Sequence, residues 1–334
     1  MVDRFGISLG VSPREPLRRA GRLAKTIEQS GFDALWYIDH QLGMKDVYAA
    51  LNVAALNTER IQLGPGVTNF ETRHPTVTAN ATAALDELSD GRAMLGLGAG
   101  WVAVHSIGAR PTKLEEIRAG IEQCRTLLAG DEIDVGGTQA HLATAVRPIP
   151  IYLAASQPRM LTLCGELCDG VVLMGAADPD FCHWQLATIY EGLERAGRDR
   201  RDLTIDLFVT ASIQEDEAEA LADVRAWATS QAAAFNAWQR MPPAWEHYRA
   251  EFQRAADTYQ YTDHLSLRAT HKQVVSEEFV RAVAVAGDID HCTERLRAIA
   301  ALDVDRITFA LLSGGRERRL ERLATELIPA LRGA

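Results

Sequence analysis

Asp39 and His40 stand side by side at the end of a predicted strand and are candidate catalytic residues for acid–base chemistry. The apolar run Ala34–Ile38 predicts a buried strand that ends directly before them. Histidine titrates near neutrality and can both donate and accept a proton, so His40 is the best candidate general acid or base. Asp39 cannot face the same way if the strand continues, so we expect it to fix a loop or a neighbouring donor. The alternative is that His40 is a structural residue whose ring nitrogens are hydrogen-bonded within the protein.

The next predicted strand is interrupted by glycine. It begins at Ile61, is broken by Gly64-Pro65-Gly66 and resumes before a helix that starts near Pro75. Glycine inside a strand marks a bulge or a place where something flat approaches the backbone. We therefore expect this strand end to support a planar cofactor, with an ordinary Gly-rich turn as the alternative. The residues expected to support the cofactor are Gly66, Val67, Thr68 and Asn69.

Three further predicted strands end in small residues, which permit close approach of a ring or phosphate. The candidate contacts there are Gly98, Gly100, Ala154, Ala155, Ser156, Met174 and Gly175. The Gly98-Ala99-Gly100 run lacks the full dinucleotide fingerprint and its acidic residue, which disfavours a nicotinamide Rossmann site. Ser156 precedes a helix predicted at Pro158 and is a candidate phosphate contact. A simple N-cap is an equally good interpretation of Ser156.

Arg73 and His74 form a positive pair just before the helix at Pro75. Cations are unfavourable at a helix N-terminus unless a negative group compensates them. Glu71 is close in sequence, so a local ion pair with Arg73 is the favoured interpretation.

Eight apolar strands alternate with helices along the chain. The predicted strands are Arg4–Val11, Ala34–Ile38, Ile61–Asn69, Ala93–Leu97, Ile151–Ala154, Val171–Met174, Leu203–Ile213 and Arg306–Leu312. The predicted helices are Glu15–Ser30, Val47–Asn57, Pro75–Leu88, Lys113–Ala129, Pro158–Cys168, Pro179–Ala196 and Gly315–Leu331. Strands that are apolar throughout are typical of parallel sheets buried on both faces. The pattern favours an α/β fold, a (β/α)8 TIM barrel, over an open doubly wound sheet, and places the site at the carboxyl ends of the strands.

Two segments depart from this alternation. Residues 130–147 predict a hairpin or loose loop around Gly136-Gly137. Residues 214–305 form a helix-rich insertion between strands seven and eight, within a single domain that covers 1–334. The insertion is rich in aromatic residues, which suit an interface or plain packing. These aromatic residues are Trp227, Phe235, Trp238, Trp245, Tyr248, Phe252, Tyr259 and Tyr261.

The composition and net charge of the chain argue against several classes of function. The 334 residues are 47% hydrophobic and carry a net charge of −10, which argues for a soluble protein without a nucleic-acid or membrane footprint. No apolar run approaches the roughly 18 residues of a membrane span, and no signal segment opens the chain, so a cytoplasmic location is expected. Five scattered cysteines indicate reduced thiols, and the Cys164/Cys168 pair is expected to lie in the core.

No metal constellation stands out, so no metal site is expected. Seven histidines are spread without a strand-end grouping: His105, His141, His183, His247, His264, His271 and His291. A metal-dependent barrel hydrolase usually needs several ligands at strand ends. No Gly-x-Ser-x-Gly nucleophile motif is present either.

Taken together, these motifs resemble the bacterial luciferase-like superfamily. The segments that carry the resemblance are Asp39-His40, Gly66-Val67-Thr68-Asn69, Arg73-His74-Pro75, Leu95–Trp101, Pro150–Ser156 and Pro158-Arg159-Met160. They cover most of residues 1–176 in order, and the similarity returns from Ala286 to Leu312. The branch that it resembles most is the deazaflavin-dependent, methylenetetrahydromethanopterin reductase-like group.

The resemblance implies a barrel that binds coenzyme F420, a 5-deazaflavin, or alternatively FMN, and acts on a small-molecule substrate as a homodimer. It implies a non-prolyl cis peptide at Gly66–Val67 that backs the ring. A residue matching His40 serves in related enzymes as the base on a substrate hydroxyl, and in the reverse direction it would protonate the substrate. The expected function is hydride transfer between F420 and a small organic substrate, with an FMN-dependent monooxygenase as the alternative.

Three positions depart from the family pattern. Trp101 stands where related enzymes often carry an acid, which suggests an aromatic substrate-binding wall. Gln157 replaces a familiar glycine, and Met174-Gly175-Ala176 carries no Lys or Arg for a phosphate. The substrate stays open, as do two further alternatives, a barrel that binds a flavin without turnover and a metal hydrolase.

Overall fold

The fold is a barrel of eight parallel strands surrounded by helices. The computed structural model describes residues 2–144, 146–259, 274–311 and 315–332. Numbered in chain order, the barrel strands are β1 (Arg4–Leu9), β2 (Ala34–Tyr37), β3 (Gln62–Pro65), β4 (Leu95–Leu97), β7 (Ile151–Ala155), β8 (Gly170–Leu173), β9 (Thr204–Val209) and β12 (Arg306–Ala310). They pair in the order β3-β2-β1-β12-β9-β8-β7-β4. This confirms the predicted (β/α)8 barrel; Leu312, the predicted end of the last strand, lies outside the described residues.

Two isolated bridges close the barrel between β3 and β4. Leu63 pairs with Ala93, and Thr68 pairs with Leu97. Between these bridges the chain leaves the regular ladder, and the peptide bond from Gly66 to Val67 is cis, as the resemblance implied. The interruption predicted for the third strand is therefore a kink in the barrel wall at its carboxyl end.

Helices cover the outside of the barrel. They are α1 (Arg18–Gln29), α2 (Val47–Ala55), α3 (Pro75–Leu88), α4 (Val102–His105), α5 (Leu114–Leu128), α6 (Pro158–Leu167), α7 (Pro179–Ala196), α11 (Ile289–Ala300), α12 (Arg316–Arg322) and α13 (Ile328–Arg332). Apart from the short α4, which follows the carboxyl end of β4, their apolar faces and the outward faces of the strands form one large core cluster. Short polar side chains begin several of them: Asp46 caps α2 and Asp178 caps α7. All five cysteines are buried and free, which confirms the predicted core role of the Cys164/Cys168 pair.

The barrel interior holds a small apolar layer and one buried ion pair. The apolar side chains are Ala34, Trp36, Met94, Tyr152, Val172 and Phe208. Arg306 donates from Nε to the Asp206 carboxylate at 2.7 Å, and both side chains are shielded from solvent. Because the interior is filled, a ligand can approach only at the ends of the barrel.

The segment 130–147 contains the predicted hairpin. Strands β5 (Ile133–Val135) and β6 (Thr138–Ala140) pair antiparallel. Gly136 and Gly137 join them with positive φ values of 62° and 85°. Two consecutive positive φ angles are typical of a tight hairpin turn, and glycine adopts them without steric cost.

The predicted seventh strand, Leu203–Ile213, is broken into two. β9 stays in the barrel, whereas β10 (Ala211–Ile213) pairs in parallel with β11 (Val285–Gly287), which was not predicted. Between β10 and β11 lie α8 (Glu217–Phe235), α9 (Arg249–Thr258) and α10 (Glu277–Val283), the helical insertion between barrel strands seven and eight. The single-domain boundary at 1–334 and the insertion boundary at 214–305 stay predictions.

Aromatic residues of this insertion pack together in a second core cluster. Phe235 lies 4.3 Å from Trp238 between ring centroids, and Phe181 of α7 lies 4.6 Å from Trp245. Packing therefore accounts for most of the aromatic content, although Tyr261 lies outside the described residues. No helix of the described ranges is long and apolar enough to cross a membrane.

Candidate active site

The mouth of the barrel has an apolar floor formed by the ends of three strands. Val67, Ala154 and Met174 are partly exposed and pack on the apolar layer inside the barrel. We call these three side chains the mouth floor. All three were predicted cofactor contacts, so the structure brings them together. A small, apolar and partly open floor fits one face of a flat ring, because the ring can bury its surface there without leaving polar groups unpaired.

Gly98 and Gly100 are needed by the protein itself. A Cβ at Gly98 would lie 2.8 Å from Cγ2 of Val67, and one at Gly100 would lie 2.3 Å from Cγ2 of Val104. Gly100 also has a φ of +78°, which side chains rarely adopt. These glycines thus let the kinked strand and α4 pack closely against the end of β4.

Asp39 is held by two partners beside the kink. Its Oδ2 accepts a hydrogen bond of 2.7 Å from the Thr68 hydroxyl and lies 3.6 Å from Nε of Arg73. Arg73 in turn donates to Asp46 at 2.6 Å. The predicted ion pair between Arg73 and Glu71 is wrong, because both carboxylates that Arg73 meets come from the end of β2 and the start of α2. Asp39 fixes a neighbouring donor, as its position beside His40 indicated.

His40 is half-buried at the end of β2. Its Nδ1 accepts a hydrogen bond of 3.0 Å from the Gly43 N–H. Burial lowers the pKa of His40 below its usual value, although its own backbone carbonyl and the charge of Asp39 oppose that shift. The neighbouring Gln41 donates to the Ala103 carbonyl at 2.7 Å, which ties this loop to α4.

Asn69 and Trp101 lie beyond the ends of β3 and β4. Asn69 is buried, and its Oδ1 accepts hydrogen bonds from the N–H and the hydroxyl of Thr72 at 2.9 and 3.1 Å. Trp101 is partly exposed at the N-cap of α4, and its ring meets His105 edge-on at 4.9 Å. Asn69 therefore shapes the loop after the kink, and Trp101 borders the carboxyl end of β4.

Gln185 of α7 holds the ends of β7 and β8, and sequence reasoning missed it. Its Nε2 donates to the Met174 carbonyl at 2.8 Å and to the Ser156 carbonyl at 3.3 Å. It lies against Gly175, and the Met174 N–H donates to the Ala155 carbonyl at 3.1 Å. A signal was available, because this glutamine falls among the apolar residues of the buried face of its helix, where a polar group requires partners.

Within the described ranges, no group of three or more His, Cys, Asp or Glu side chains is arranged to hold a metal ion. Two of the histidines weighed for such a site, His264 and His271, lie outside those ranges.

A closed parallel barrel with a kinked third strand and an apolar floor at its carboxyl end defines an α/β-barrel protein with a site suited to a flat cofactor. The model of the luciferase-like monooxygenase family matches residues 1–306. The chain belongs to this family.

Several relatives and solved structures are similar over nearly the whole chain. The 5,10-methylenetetrahydromethanopterin reductase of Methanolobus tindarius is 30% identical over 332 residues, which cover 97% of this chain and 99% of the relative. The F420-dependent glucose-6-phosphate dehydrogenase of Microbacterium testaceum is 28% identical over 325 residues, covering 91% of this chain and 90% of the relative. The solved structure of the coenzyme F420-dependent tetrahydromethanopterin reductase from Methanopyrus kandleri superposes with a TM-score of 0.80 at 25% identity, covering 99% of this chain and all of the other.

Proposed function

We propose that this chain is a coenzyme F420-dependent oxidoreductase that transfers a hydride between the deazaflavin and a small organic substrate. The observation that carries the proposal is the mouth floor of Val67, Ala154 and Met174 at the carboxyl ends of three barrel strands. Relatives whose names include F420, or that reduce a methanopterin, align over most of this chain and favour F420 over FMN.

The residues at the mouth would position the ring and leave one of its faces open. The kink at Gly66–Val67 and the mouth floor would support one face, and the opposite face would receive the substrate. The deazaflavin, when bound, supplies or accepts the hydride. The protein contributes mainly close alignment of donor and acceptor carbons and the exclusion of water from the supported face.

We assign Asp39 a positioning role in this proposal. Its carboxylate is buried and already accepts from Thr68 while facing Arg73. A carboxylate held in this way fixes the kink relative to the end of β2. His40 remains the candidate that contacts the substrate.

A direct titration tests the cofactor. The purified protein is titrated with F420 and, separately, with FMN, while absorbance and fluorescence report binding. We expect micromolar affinity for F420 and much weaker affinity for FMN, roughly 100-fold or more, which corresponds to about 2.7 kcal/mol. Tight FMN binding with oxygen consumption would instead support the monooxygenase alternative.

The homodimer stays a prediction. Light scattering of the purified chain at several concentrations measures its mass. A monomer mass at all concentrations would contradict it.

A further inference from the structure

A groove of about 660 Å³ lies on the outside of the barrel, between helices that follow neighbouring strands. Its walls come from α5, α6 and α7 and from residues 239–246 of the insertion. Pro158 and Arg159, the first residues of α6, line it on one side, and Trp184 of α7 lines it on another. The three side chains of the mouth floor do not line it. The groove is therefore separate from the place where a flat ring would rest.

The groove nevertheless begins close to the mouth. Arg159 follows Ser156 by three residues, so their Cα atoms are no more than about 12 Å apart. Gln185, the neighbour of Trp184, donates to the carbonyl groups of Ser156 and Met174. Two walls of the groove are thus tied to the carboxyl ends of β7 and β8, where the mouth floor lies. A long ligand could occupy the mouth and the groove at the same time.

The carboxylates that line the groove are already paired with arginines. A paired carboxylate repels an incoming anion only weakly, because the neighbouring cation offsets its charge. The pairs are Glu166 with Arg118, Glu191 with Arg195 at 3.7 Å, and Glu246 with Arg249 at 2.8 Å.

Two further arginines of the groove have no such partner. Arg159 of α6 and Arg240 of the insertion are exposed, and neither makes a hydrogen bond or an ion pair in the part of the chain that the structure describes. They leave the groove with positive charge, although the whole chain has a net charge of −10. Guanidinium groups form strong, charge-assisted hydrogen bonds with carboxylate and phosphate oxygens. The groove is therefore suited to a flexible ligand with several anionic groups.

We propose that this groove binds the anionic tail of F420 through Arg159 and Arg240. The inference rests on the proposed function, because it takes F420 as the cofactor. In F420 a phosphate and a lactate join the side chain of the ring to a series of γ-linked glutamates, each with a free carboxylate. The ring has to stay at the mouth to exchange a hydride with the substrate, so only the tail can extend outside the barrel. FMN has no such tail, and the groove would therefore add affinity for F420 alone.

Three deazaflavins that differ only in the tail test this assignment by fluorescence titration of the full chain. The first lacks the phosphate and the glutamates, the second has phosphate and lactate but no glutamate, and the third is F420 with several glutamates. The double variant Arg159→Gln with Arg240→Gln removes two exposed charges, so its fold should stay intact. We expect it to bind F420 about 10-fold more weakly and the two shorter compounds within about 2-fold of the wild type.

A matched double variant controls for the change in net charge. Arg4 and Arg60 are exposed near the amino ends of β1 and β3, at the opposite end of the barrel from the mouth. Arg4→Gln with Arg60→Gln should bind all three compounds as the wild type does. Added salt should weaken the binding of F420 to the wild type more than to the Arg159→Gln, Arg240→Gln variant, because salt screens exposed charges.

The three ligands separate the possible failures. A similar loss for F420 and for the compound without glutamates would mean that the two arginines contact the phosphate, and it would overturn the tail assignment. An unchanged affinity for F420 in the double variant would also overturn it, while F420 would remain the cofactor of the proposed function. A wild type that binds none of the three compounds would overturn the proposed function and the groove assignment together.

Discussion

Ala154 has the smallest side chain of the mouth floor and is the most direct place to block a flat ligand. It is partly exposed above the barrel interior, so an Ala154→Phe side chain would extend into the mouth. We expect this change to lower the affinity for F420 about 100-fold, or ~2.7 kcal/mol. The stability should change little, because the side chain at this position is partly exposed. Fluorescence titration and urea unfolding measure the two effects.

A matched variant elsewhere controls for added aromatic surface. Ala218 is exposed in the first turn of α8, so Ala218→Phe adds the same side chain away from the mouth. It should leave the F420 affinity unchanged. Unchanged affinity in Ala154→Phe as well would show that the ring does not rest on this floor.

Thr68 connects the kink to Asp39 through one hydroxyl. Its side chain is fully buried and donates to Oδ2 at 2.7 Å, so Thr68→Val keeps the shape and removes one donor from a buried carboxylate. We expect a loss of about 1–3 kcal/mol in the free energy of unfolding. Weaker cofactor binding should accompany it because the kink is less firmly held.

The control for this change is a threonine outside the site. Thr325 is exposed and its hydroxyl donates to the Glu321 carbonyl within a helix, so Thr325→Val should alter the stability by less than about 0.5 kcal/mol. Equal effects of the two valine variants on stability and on F420 affinity would remove Asp39 and Thr68 from the proposed positioning role.

Some residue roles could be predicted from the sequence, whereas others depend on contacts between residues that are far apart in the chain. The position of Asp39 after a strand, beside His40, indicated that it would fix a loop or a neighbouring donor, and it accepts a hydrogen bond from the Thr68 hydroxyl. The partner of Arg73 was not readable, because Asp46 lies 27 positions earlier and only the fold brings it near. Gly98 is a third case. The sequence marked it as a small residue at a strand end, but the reason that glycine is needed there, the close approach of the Val67 side chain, is visible only in the structure.

At the scale of elements, α7 supports the mouth through Gln185. The side chain donates to two carbonyls at the ends of β7 and β8. Gln185→Leu leaves those carbonyls without this donor, and Gln185→Glu sets a carboxylate against them. We expect both to destabilise the fold, by about 1–3 kcal/mol for leucine and by more for glutamate. Urea unfolding measures the free energy of unfolding of the wild type and of both variants. Equal stability of Gln185→Leu and the wild type would contradict the bridging role of Gln185.

Elements with local signals were predicted closely. The helix Pro75–Leu88 and the helix Pro179–Ala196 have the predicted bounds, because proline marks each first turn and the apolar spacing continues to the end. The sequence predicted Leu203–Ile213 as one strand and not as two, because its second part is as apolar as the first. Its change of partner, from the barrel to β11 more than 70 residues later, is a non-local event that a local pattern does not contain.

At the scale of the whole molecule, a buried ion pair between the neighbouring strands β9 and β12 is linked across the barrel interior to Trp36 of β2. Asp206 accepts from Arg306 Nε at 2.7 Å, from Trp36 Nε1 at 3.0 Å and from the Thr308 hydroxyl at 2.7 Å. Arg306→Met leaves a buried carboxylate without its cation, which typically costs about 3–5 kcal/mol. The double change Arg306→Met with Asp206→Leu should recover much of that loss. Urea unfolding of the three variants tests this, and a double variant no more stable than Arg306→Met would contradict it.

The stability of the whole chain should also depend on pH through Glu28, which links α1 to the start of β3. Its carboxylate accepts from the N–H groups of Glu59, Arg60 and Ile61 at 2.6–3.1 Å. Burial alone raises the pKa of Glu28, but these three donors outweigh it and hold the pKa below its usual value. In the unfolded chain the group titrates near 4.5.

The sign of the effect follows from that difference. Because the folded pKa is the lower one, the unfolded state binds more protons between the two values, so this contribution is complete above about pH 4.5 and is lost as pH falls through the folded pKa. Glu28→Gln keeps an acceptor but not the charge, and we expect it to cost about 1–2 kcal/mol at pH 7 and less at pH 3.5. The exposed Glu59→Gln is the control, and urea unfolding at both pH values is the measurement. A Glu28→Gln deficit that stays constant or grows on acidification would show that the three N–H groups do not stabilise the ionised carboxylate.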